Sequence, residues 1–208
     1  RDREIDVKIN GSITSKNEED IKKILDIAKQ YDAAVNLDTY MYPASRERNK
    51  PFDEQSRMNP KDAAMAKVLI YKYQMGDIAF EEYRRAIINT IEQYIPENYG
   101  YERHISCLAG NCSFTINWQG MIRPCVMQSM PQVNVFDKGF LQGWETISNE
   151  TKKILINEAC VSCRYRPICN TCAAAALLET GNYDGIPEYI CEYTKEFYRI
   201  MKEGARIC

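Results

Sequence analysis

The amino-acid sequence predicts an α+β fold in which an α/β first part is followed by a smaller, loop-rich second part. Two segments with strand character, residues 4–9 and 33–40, flank a predicted helix. Helical periodicity dominates residues 60–94. All nine cysteines fall at or after Cys107, where the predicted elements become short. We therefore predict two domains, which span residues 1–100 and 101–208.

The first part begins with a strand–helix–strand unit. Residues 4–9 alternate polar and apolar side chains, which is the pattern of a half-buried strand. Asn17 is a favoured N-cap residue, and the three acidic residues after it lie in the electropositive first turn of the predicted helix. With a second strand at residues 33–40, the unit has a suitable length for a right-handed parallel crossover.

Two further helices are predicted before residue 100. Pro60 suits the first position of a helix, because the N–H that proline lacks has no partner there. This helix is expected to run to about Gln74 and to end at Gly76. The next covers roughly residues 80–94 and is stopped by Pro96.

The second part is predicted to contain a β-hairpin and three helices. Gln119 and Gly120 suit a turn between short strands at residues 114–116 and 121–122. A core this small, with so many loops, usually requires cross-links, which cysteines can supply. The helices are expected at residues 140–148, 171–179 and 190–202.

Composition excludes several classes of protein. The formal net charge is −2 and the isoelectric point about 5.7, so there is no electrostatic basis for binding nucleic acid or an anionic membrane. No apolar run approaches the roughly 20 residues of a membrane-spanning helix. Nothing indicates export, so a cytoplasmic location is expected. In that reducing compartment, clustered cysteines are more often metal ligands than disulfides.

The densest cysteine run has the spacing C-x2-C-x5-C-x2-C and begins at Cys160. Two zinc knuckles that share one ion normally lie a dozen or more residues apart, whereas only five residues separate these pairs. Closely spaced cysteines also serve two-cluster ferredoxins, where one run donates ligands to both clusters. Spacing alone leaves iron–sulfur clusters, zinc, and disulfides or free thiols as alternatives. Arg164 and Arg166, inside the run, would either stabilise the thiolates or lie in a solvated loop.

The cysteine region resembles the SPASM domain, the auxiliary-cluster domain at the C-terminus of many radical S-adenosylmethionine (radical SAM) enzymes. The resemblance covers residues 107–191 and includes the G-x4-C element that ends at Cys125. It also includes the C-x2-C-x5-C element and a closing C-x2-C pair, where many members have C-x3-C. In that family two four-iron clusters interleave along the chain. The resemblance implies a first cluster on Cys107, Cys112, Cys125 and Cys172, and a second on Cys160, Cys163, Cys169 and Cys191.

The first hundred residues are similar to the late βα units of a radical SAM partial barrel. Polar residues at the strand ends of that barrel lie near S-adenosylmethionine. By position, the resemblance implies that Asn10, Ser12 and Arg46 bind this cofactor. Cys208 has no counterpart in the family and is expected to be a free thiol.

The chain departs from the family in one decisive respect. The C-x3-C-x2-C motif, whose three thiolates leave one iron open for S-adenosylmethionine, is absent, and no cysteine precedes Cys107. The chain is therefore expected to be the C-terminal part of a longer parent and inactive alone. Val126 stands where sulfatase-maturating members carry a catalytic Asp, so formylglycine formation is not expected. No catalytic residue is predicted.

The function implied is that of the auxiliary-cluster part of a peptide- or protein-modifying radical SAM enzyme. Its two 4Fe-4S clusters would serve electron transfer or substrate binding, with flavodoxin or ferredoxin as electron donor. S-adenosylmethionine and a third 4Fe-4S cluster are expected only in the full-length parent. The alternatives are a non-catalytic electron-transfer module and a zinc-stapled peptide-binding module. If the chain holds clusters, an aerobic preparation can contain zinc in their place, because oxygen destroys exposed clusters.

Overall fold

The computed structural model describes residues 5–41, 56–98, 101–105, 107–169 and 171–204. Helices predominate, and the strands form one parallel pair and one three-stranded antiparallel sheet. The predicted α+β class is therefore confirmed. The parallel strands among the described residues form an open pair, and a barrel is not seen there.

The parallel pair belongs to the predicted strand–helix–strand unit. Strand β1 (Lys8–Ser12) pairs with β2 (Ala34–Asp38), and helix α1 (Ile21–Gln30) connects them. Ile21, Leu25 and Ala28 of the helix are buried, as their helical spacing requires. The first strand was predicted at residues 4–9 but lies later in the chain. Pairing with β2 determines its ends, since Lys8 is the first residue with a partner in the parallel register.

The prediction that Asn17 caps the helix through its side chain is wrong. A short 3-10 turn (Glu18–Asp20) follows Asn17, and the side chain makes no capping hydrogen bond. Its Oδ1 instead accepts a hydrogen bond from the Thr14 amide at 2.7 Å, and its Nδ2 donates to the Ser12 carbonyl at 3.1 Å. Asn17 therefore closes the turn that leaves β1, which is a common alternative use of a short amide side chain.

Helix α2 (Pro60–Glu92) confirms both signals predicted for this region. Asn59 caps its start by accepting a hydrogen bond from the Asp62 amide at 2.9 Å, with proline in the first turn. The helical backbone breaks at Gly76, where φ is 76° and ψ is 167°. This conformation is accessible to glycine and strained for other residues, so the sequence sets the break.

The second part contains the predicted hairpin and an additional strand. Strands β3 (Thr115–Ile116) and β4 (Met121–Arg123) are antiparallel, and β5 (Val133–Asn134) pairs with the other edge of β4. Asn117 stabilises the turn because its Oδ1 accepts hydrogen bonds from the amides of Gln119 and Met121. The remaining helices are α3 (Val135–Lys138), α4 (Phe140–Thr151), α5 (Ala173–Thr180) and α6 (Glu188–Glu203).

The last helix packs along α2, so the C-terminal helix shares a core with the first part of the chain. Tyr193 of α6 contacts both the cluster beneath the parallel strands and the cluster between α2 and α6. The domain division near residue 100 stays a prediction. Within the described residues, no helix has both the length and the hydrophobicity needed to cross a membrane.

Candidate metal centre

Three cysteines from distant segments form the first thiol group: Cys107, Cys125 and Cys172. Cys125 follows β4, and Cys172 lies immediately before α5. Burial raises the pKa of the Cys125 thiol, and the negative charges of ionised Cys172 and Cys107 raise it further. The sulfurs of Cys107 and Cys172 therefore lie within electrostatic range of Cys125. The backbone N–H groups of Met127 and Gln128 donate to the Cys125 sulfur and thereby lower its pKa.

Cys112 is held near Cys107 by a tight loop. The Leu108 carbonyl accepts hydrogen bonds from the amides of Asn111 and Cys112, and the Asn111 side chain donates to the Cys107 carbonyl at 3.0 Å. Gly110 has a φ of 67°, which allows the loop to reverse. Cys107 and Cys112 are both exposed, in contrast to Cys125 and Cys172.

The second thiol group consists of Cys160, Cys163, Cys169 and Cys191. Burial raises the pKa of Cys160, with further increases from Cys169 and Cys163. Burial and then the charges of Cys169, Cys160 and Cys163 raise the pKa of Cys191 to about 11. Cys160 and Cys191 therefore each lie within electrostatic range of Cys163 and Cys169. Cys191 lies in the first turn of α6, so this helix brings it to the 160–169 loop.

The two thiol groups have different electrostatic neighbours even though their residues alternate along the chain. Cys172 is three positions after Cys169, yet its charge acts on Cys125, whereas the charge of Cys169 acts on Cys160 and Cys191. The Thr171 hydroxyl between them donates to the Cys169 sulfur at 3.5 Å. The assignment of these residues as metal ligands stays a prediction, because proximity of thiols is not ligation.

The cysteine thiols of the described residues do not form a ready-made site for a single metal ion. Among the described ranges, no three His, Cys, Asp or Glu side chains converge closely enough to hold a single metal ion. The thiols do lie within electrostatic range of one another. A four-iron core is wider than one ion and is held by four thiolates, so the chemistry of the donor set fits such a core.

The structure distinguishes the two arginines of the cysteine run. Arg166 is 7% exposed, and its positive charge lowers the pKa of Cys160, in opposition to burial. Its guanidinium carbon lies 5.2 Å from the centroid of the Tyr101 ring. Arg164 is exposed to solvent, beside the ring of Tyr165. Of these two arginines, Arg166 is therefore the one that is buried.

Two of the predicted cofactor-binding residues lie on one polar face of the parallel strands. Asn10 and Ser12 are exposed and point to the same side of β1. Asn36 and Asp38 of β2 lie directly opposite them in the register and are exposed on the same face. Asn36 and Asp38 were not selected from the sequence. Their alternation along the predicted strand could have indicated that both lie on its polar face. The third predicted residue, Arg46, lies outside the described residues.

A partly buried polar cluster that sequence reasoning missed joins the strand end to α5. Arg57 forms an ion pair with Glu179, and the Tyr40 hydroxyl donates to the same carboxylate oxygen at 2.6 Å. The Arg57 guanidinium stacks 3.7 Å from the centre of the Tyr189 ring. No local signal could have identified this cluster, because its residues are distant in sequence.

Another missed residue, Tyr183, lies beside the first thiol group. The charge of Cys125 adds to burial in raising the Tyr183 pKa. The Tyr183 hydroxyl donates to the Met130 carbonyl at 2.8 Å, and the buried Gln128 side chain donates to the same oxygen at 3.0 Å. Tyr183 and Gln128 therefore brace the segment after Cys125.

The chain is similar to the AdoMet-dependent heme synthase of Methanosarcina barkeri (strain Fusaro / DSM 804), where AdoMet denotes S-adenosylmethionine. The two are 24% identical over 190 residues, which cover 84% of this chain and 53% of the relative. The chain therefore spans about half the length of that enzyme. Since the relative is a radical SAM enzyme, the similarity supports a relationship to that family. No family model matches the chain, and no solved structure matches it.

Proposed function

We propose that this chain is the auxiliary-cluster part of a radical SAM enzyme and that it holds two 4Fe-4S clusters. The observation that carries the proposal is the separation of seven described thiols into two groups, which alternate along the sequence. The similarity to a radical SAM heme synthase supports the same family. Cys112, in the loop next to Cys107, completes the first set of four.

Each cluster would have four thiolate ligands from this chain. Cys107, Cys112, Cys125 and Cys172 would hold one cluster, and Cys160, Cys163, Cys169 and Cys191 the other. When bound, such clusters supply one-electron transfer or a point of attachment for substrate. The protein stabilises the thiolates through backbone N–H donors at Cys125 and the Thr171 hydroxyl at Cys169.

The polar face of the parallel strands is proposed as part of the S-adenosylmethionine site of the parent enzyme. Asn10 and Ser12 would donate or accept hydrogen bonds there, together with Asn36 and Asp38. These residues offer amide, hydroxyl and carboxylate groups, which suit a ligand that combines an adenosine and an amino acid. Electrons would come from a flavodoxin or ferredoxin, and the compartment proposed is the cytoplasm.

Two substrate classes are proposed for the parent. The SPASM resemblance favours a peptide or protein substrate. The similarity to a heme synthase favours a porphyrin instead. Equilibrium binding to the full-length parent distinguishes them. A porphyrin substrate predicts saturable changes in porphyrin absorbance, whereas a peptide substrate predicts no such change.

The alternative of a zinc-stapled module makes a different demand on geometry. A structural zinc ion needs four ligands arranged as a tetrahedron. Each sulfur ligand lies about 2.3 Å from the metal. Among the described residues no three potential ligands converge closely enough for a single ion, whereas a four-iron core occupies more space and takes four thiolates. Zinc bound after aerobic preparation would still not identify the native metal, because exposed clusters are lost in oxygen.

Anaerobic reconstitution tests the proposed function. We expect about eight irons and eight sulfides per chain, with electron paramagnetic resonance signals of two clusters after reduction. Zinc offered alone under the same conditions provides the comparison. An iron content near zero, with stoichiometric zinc uptake and a folded chain, would reject the cluster proposal in favour of the zinc module.

A further inference from the structure

We propose that Arg166 is the internal countercharge of the second thiol group and sets the reduction potential of the cluster held there. This inference rests on the proposed function, since it presupposes a cluster on Cys160, Cys163, Cys169 and Cys191. It concerns a residue outside the ligand set. Arg166 acts on the cluster through its charge and is therefore a positioning and tuning residue rather than a catalytic one.

The backbone places Arg166 between two of the ligands. Its amide donates to the Cys163 carbonyl at 2.9 Å, and its own carbonyl accepts from the Cys169 amide at 3.3 Å. Arg166 begins the 3-10 turn Arg166–Ile168. Pro167 restricts the backbone within that turn. The side chain therefore leaves the loop at a defined point inside the thiol group.

Burial gives the Arg166 charge its strength. The residue is only 7% exposed, and its guanidinium packs beside the Tyr101 ring at 5.2 Å. A charge held away from water acts on its neighbours through a lower effective dielectric than an exposed charge does. Two other cations lie near the same thiols, Arg164 and Lys195, but both are exposed and are screened by solvent and salt.

The electron balance gives the direction of the effect. An external one-electron donor, dithionite in the experiment below, is oxidised, and the cluster gains one electron and one negative charge. No covalent bond to the protein forms or breaks, and no proton is required. A buried cation stabilises the more negative reduced form, so Arg166 raises the potential of the second cluster. The first thiol group has a different set of neighbours and would not share this effect.

Potentiometric titration of the reconstituted full chain, followed by electron paramagnetic resonance, tests the inference. For Arg166→Gln we expect the reduction equilibrium constant of one cluster to fall about tenfold, equivalent to about 59 mV for a one-electron couple. The other cluster should keep its potential. Arg166→Lys keeps the charge and should shift less. Arg164→Gln, in the same loop but exposed, is the matched control and should shift neither cluster.

The iron content of each variant distinguishes failure of the Arg166 inference from failure of the proposed function. Unchanged potentials in an Arg166→Gln variant with full iron content would overturn the inference, as would an equal shift in Arg164→Gln. If Arg166→Gln loses the second cluster, Arg166→Lys decides: retention of iron and a near-native potential support the role of charge. Loss of iron in both variants would overturn it, since the shape of the side chain would then be the requirement. Absence of iron in the wild-type chain would instead reject the proposed function.

Discussion

Arg57 and Glu179 form a shielded ion pair that connects two segments 122 positions apart in the chain. Nη2 of Arg57 lies 2.7 Å from Oε1 of Glu179, and the side chains are 18% and 12% exposed. The Tyr40 hydroxyl donates to the same carboxylate, and the rings of Tyr40 and Tyr189 flank the guanidinium. The pair joins the chain just before α2 to helix α5, whose N-terminus carries Cys172.

We predict that Glu179→Gln lowers the free energy of unfolding by about 3 kcal/mol, because it leaves a largely buried guanidinium without its countercharge. Anaerobic denaturant unfolding of the reconstituted chain measures the change. Glu92→Gln is the matched control, since Glu92 and Lys202 also form an ion pair at 2.7 Å across two helices. That pair is about half exposed, so its loss should have no measurable effect. Equal effects of the two substitutions would show that shielding is unimportant.

A second prediction concerns the alternation of the two thiol groups. Cys172→Ser should remove about half of the iron and leave the signal of the second cluster intact, because Cys172 faces Cys125 and Cys107. Cys169→Ser should affect the second cluster instead, although it is only three positions away. Iron analysis and electron paramagnetic resonance distinguish the two losses. Cys208→Ser, at the predicted spare thiol, is the control and should keep all iron.

Loss of the same cluster signal in Cys172→Ser and Cys169→Ser would contradict the assignment. The two residues would then belong to one ligand set, and the alternating arrangement would be wrong.

Gly110 should be irreplaceable in the loop between Cys107 and Cys112. Its φ is 67°, and a Cβ placed there would lie 2.5 Å from the Thr151 hydroxyl oxygen. Thr151 is buried and donates to the Ile147 carbonyl, so it cannot move aside easily. We expect Gly110→Ala to cost about 3 kcal/mol or more and to weaken iron binding by the first thiol group.

Gly181→Ala provides the comparison for that prediction. Gly181 also has a positive φ, 82°, but a Cβ there would meet open space. The cost should therefore be limited to backbone strain of about 1–2 kcal/mol, without selective loss of iron. Similar costs and iron contents for the two variants would show that the contact with Thr151 has no importance.

Partly buried tyrosines of the helical core predict a loss of stability in alkaline solution. Burial raises the pKa of Tyr83 from its ordinary value of about 10 to about 12, with further contributions from Tyr71. Between these values the unfolded chain releases a proton that the folded chain retains. The free energy of unfolding should therefore fall as pH rises from 10 through about 12. Thermal unfolding at a series of pH values measures this slope.

Tyr83→Phe should make the alkaline slope shallower, because it removes one of the protons retained by the fold. A slope remains, since burial also raises the pKa of Tyr193. Tyr31→Phe, at a position 66% exposed, removes a tyrosine hydroxyl at the surface and is the comparison variant. An identical slope in Tyr83→Phe and the wild type would contradict the assignment to Tyr83.

Local signals predicted much of the secondary structure. The Asn59–Pro60 start and the break at Gly76 depend on backbone preferences of those residues, and both appear in α2. Strand β5 and the true start of β1 were missed, because strand ends depend on a pairing partner elsewhere in the chain. The hydrogen-bond partner of Asn17 was also predicted wrongly. The backbone amide of Thr14, in the preceding loop, donates to the Asn17 side chain in place of an amide of the helix.

The candidate site divides in a similar way. Cysteine identity and spacing indicated metal-binding chemistry, but spacing left zinc, iron and free thiols open. The grouping of Cys172 with Cys125 came from a family resemblance, and the tertiary structure brings the same thiols together. The buried position of Arg166 and the exposed position of Arg164 were indistinguishable in the sequence, because both occupy the same short loop.

The sequence by itself determined the residue types able to act, the helices they flank and the points where the backbone turns, since these depend on covalent chemistry and short-range conformational preference. Only the tertiary structure decided which thiols face one another, which arginine is withdrawn from water, and which carboxylate receives Arg57. These outcomes depend on distances and dielectric surroundings between residues far apart in the chain, and folding alone establishes them.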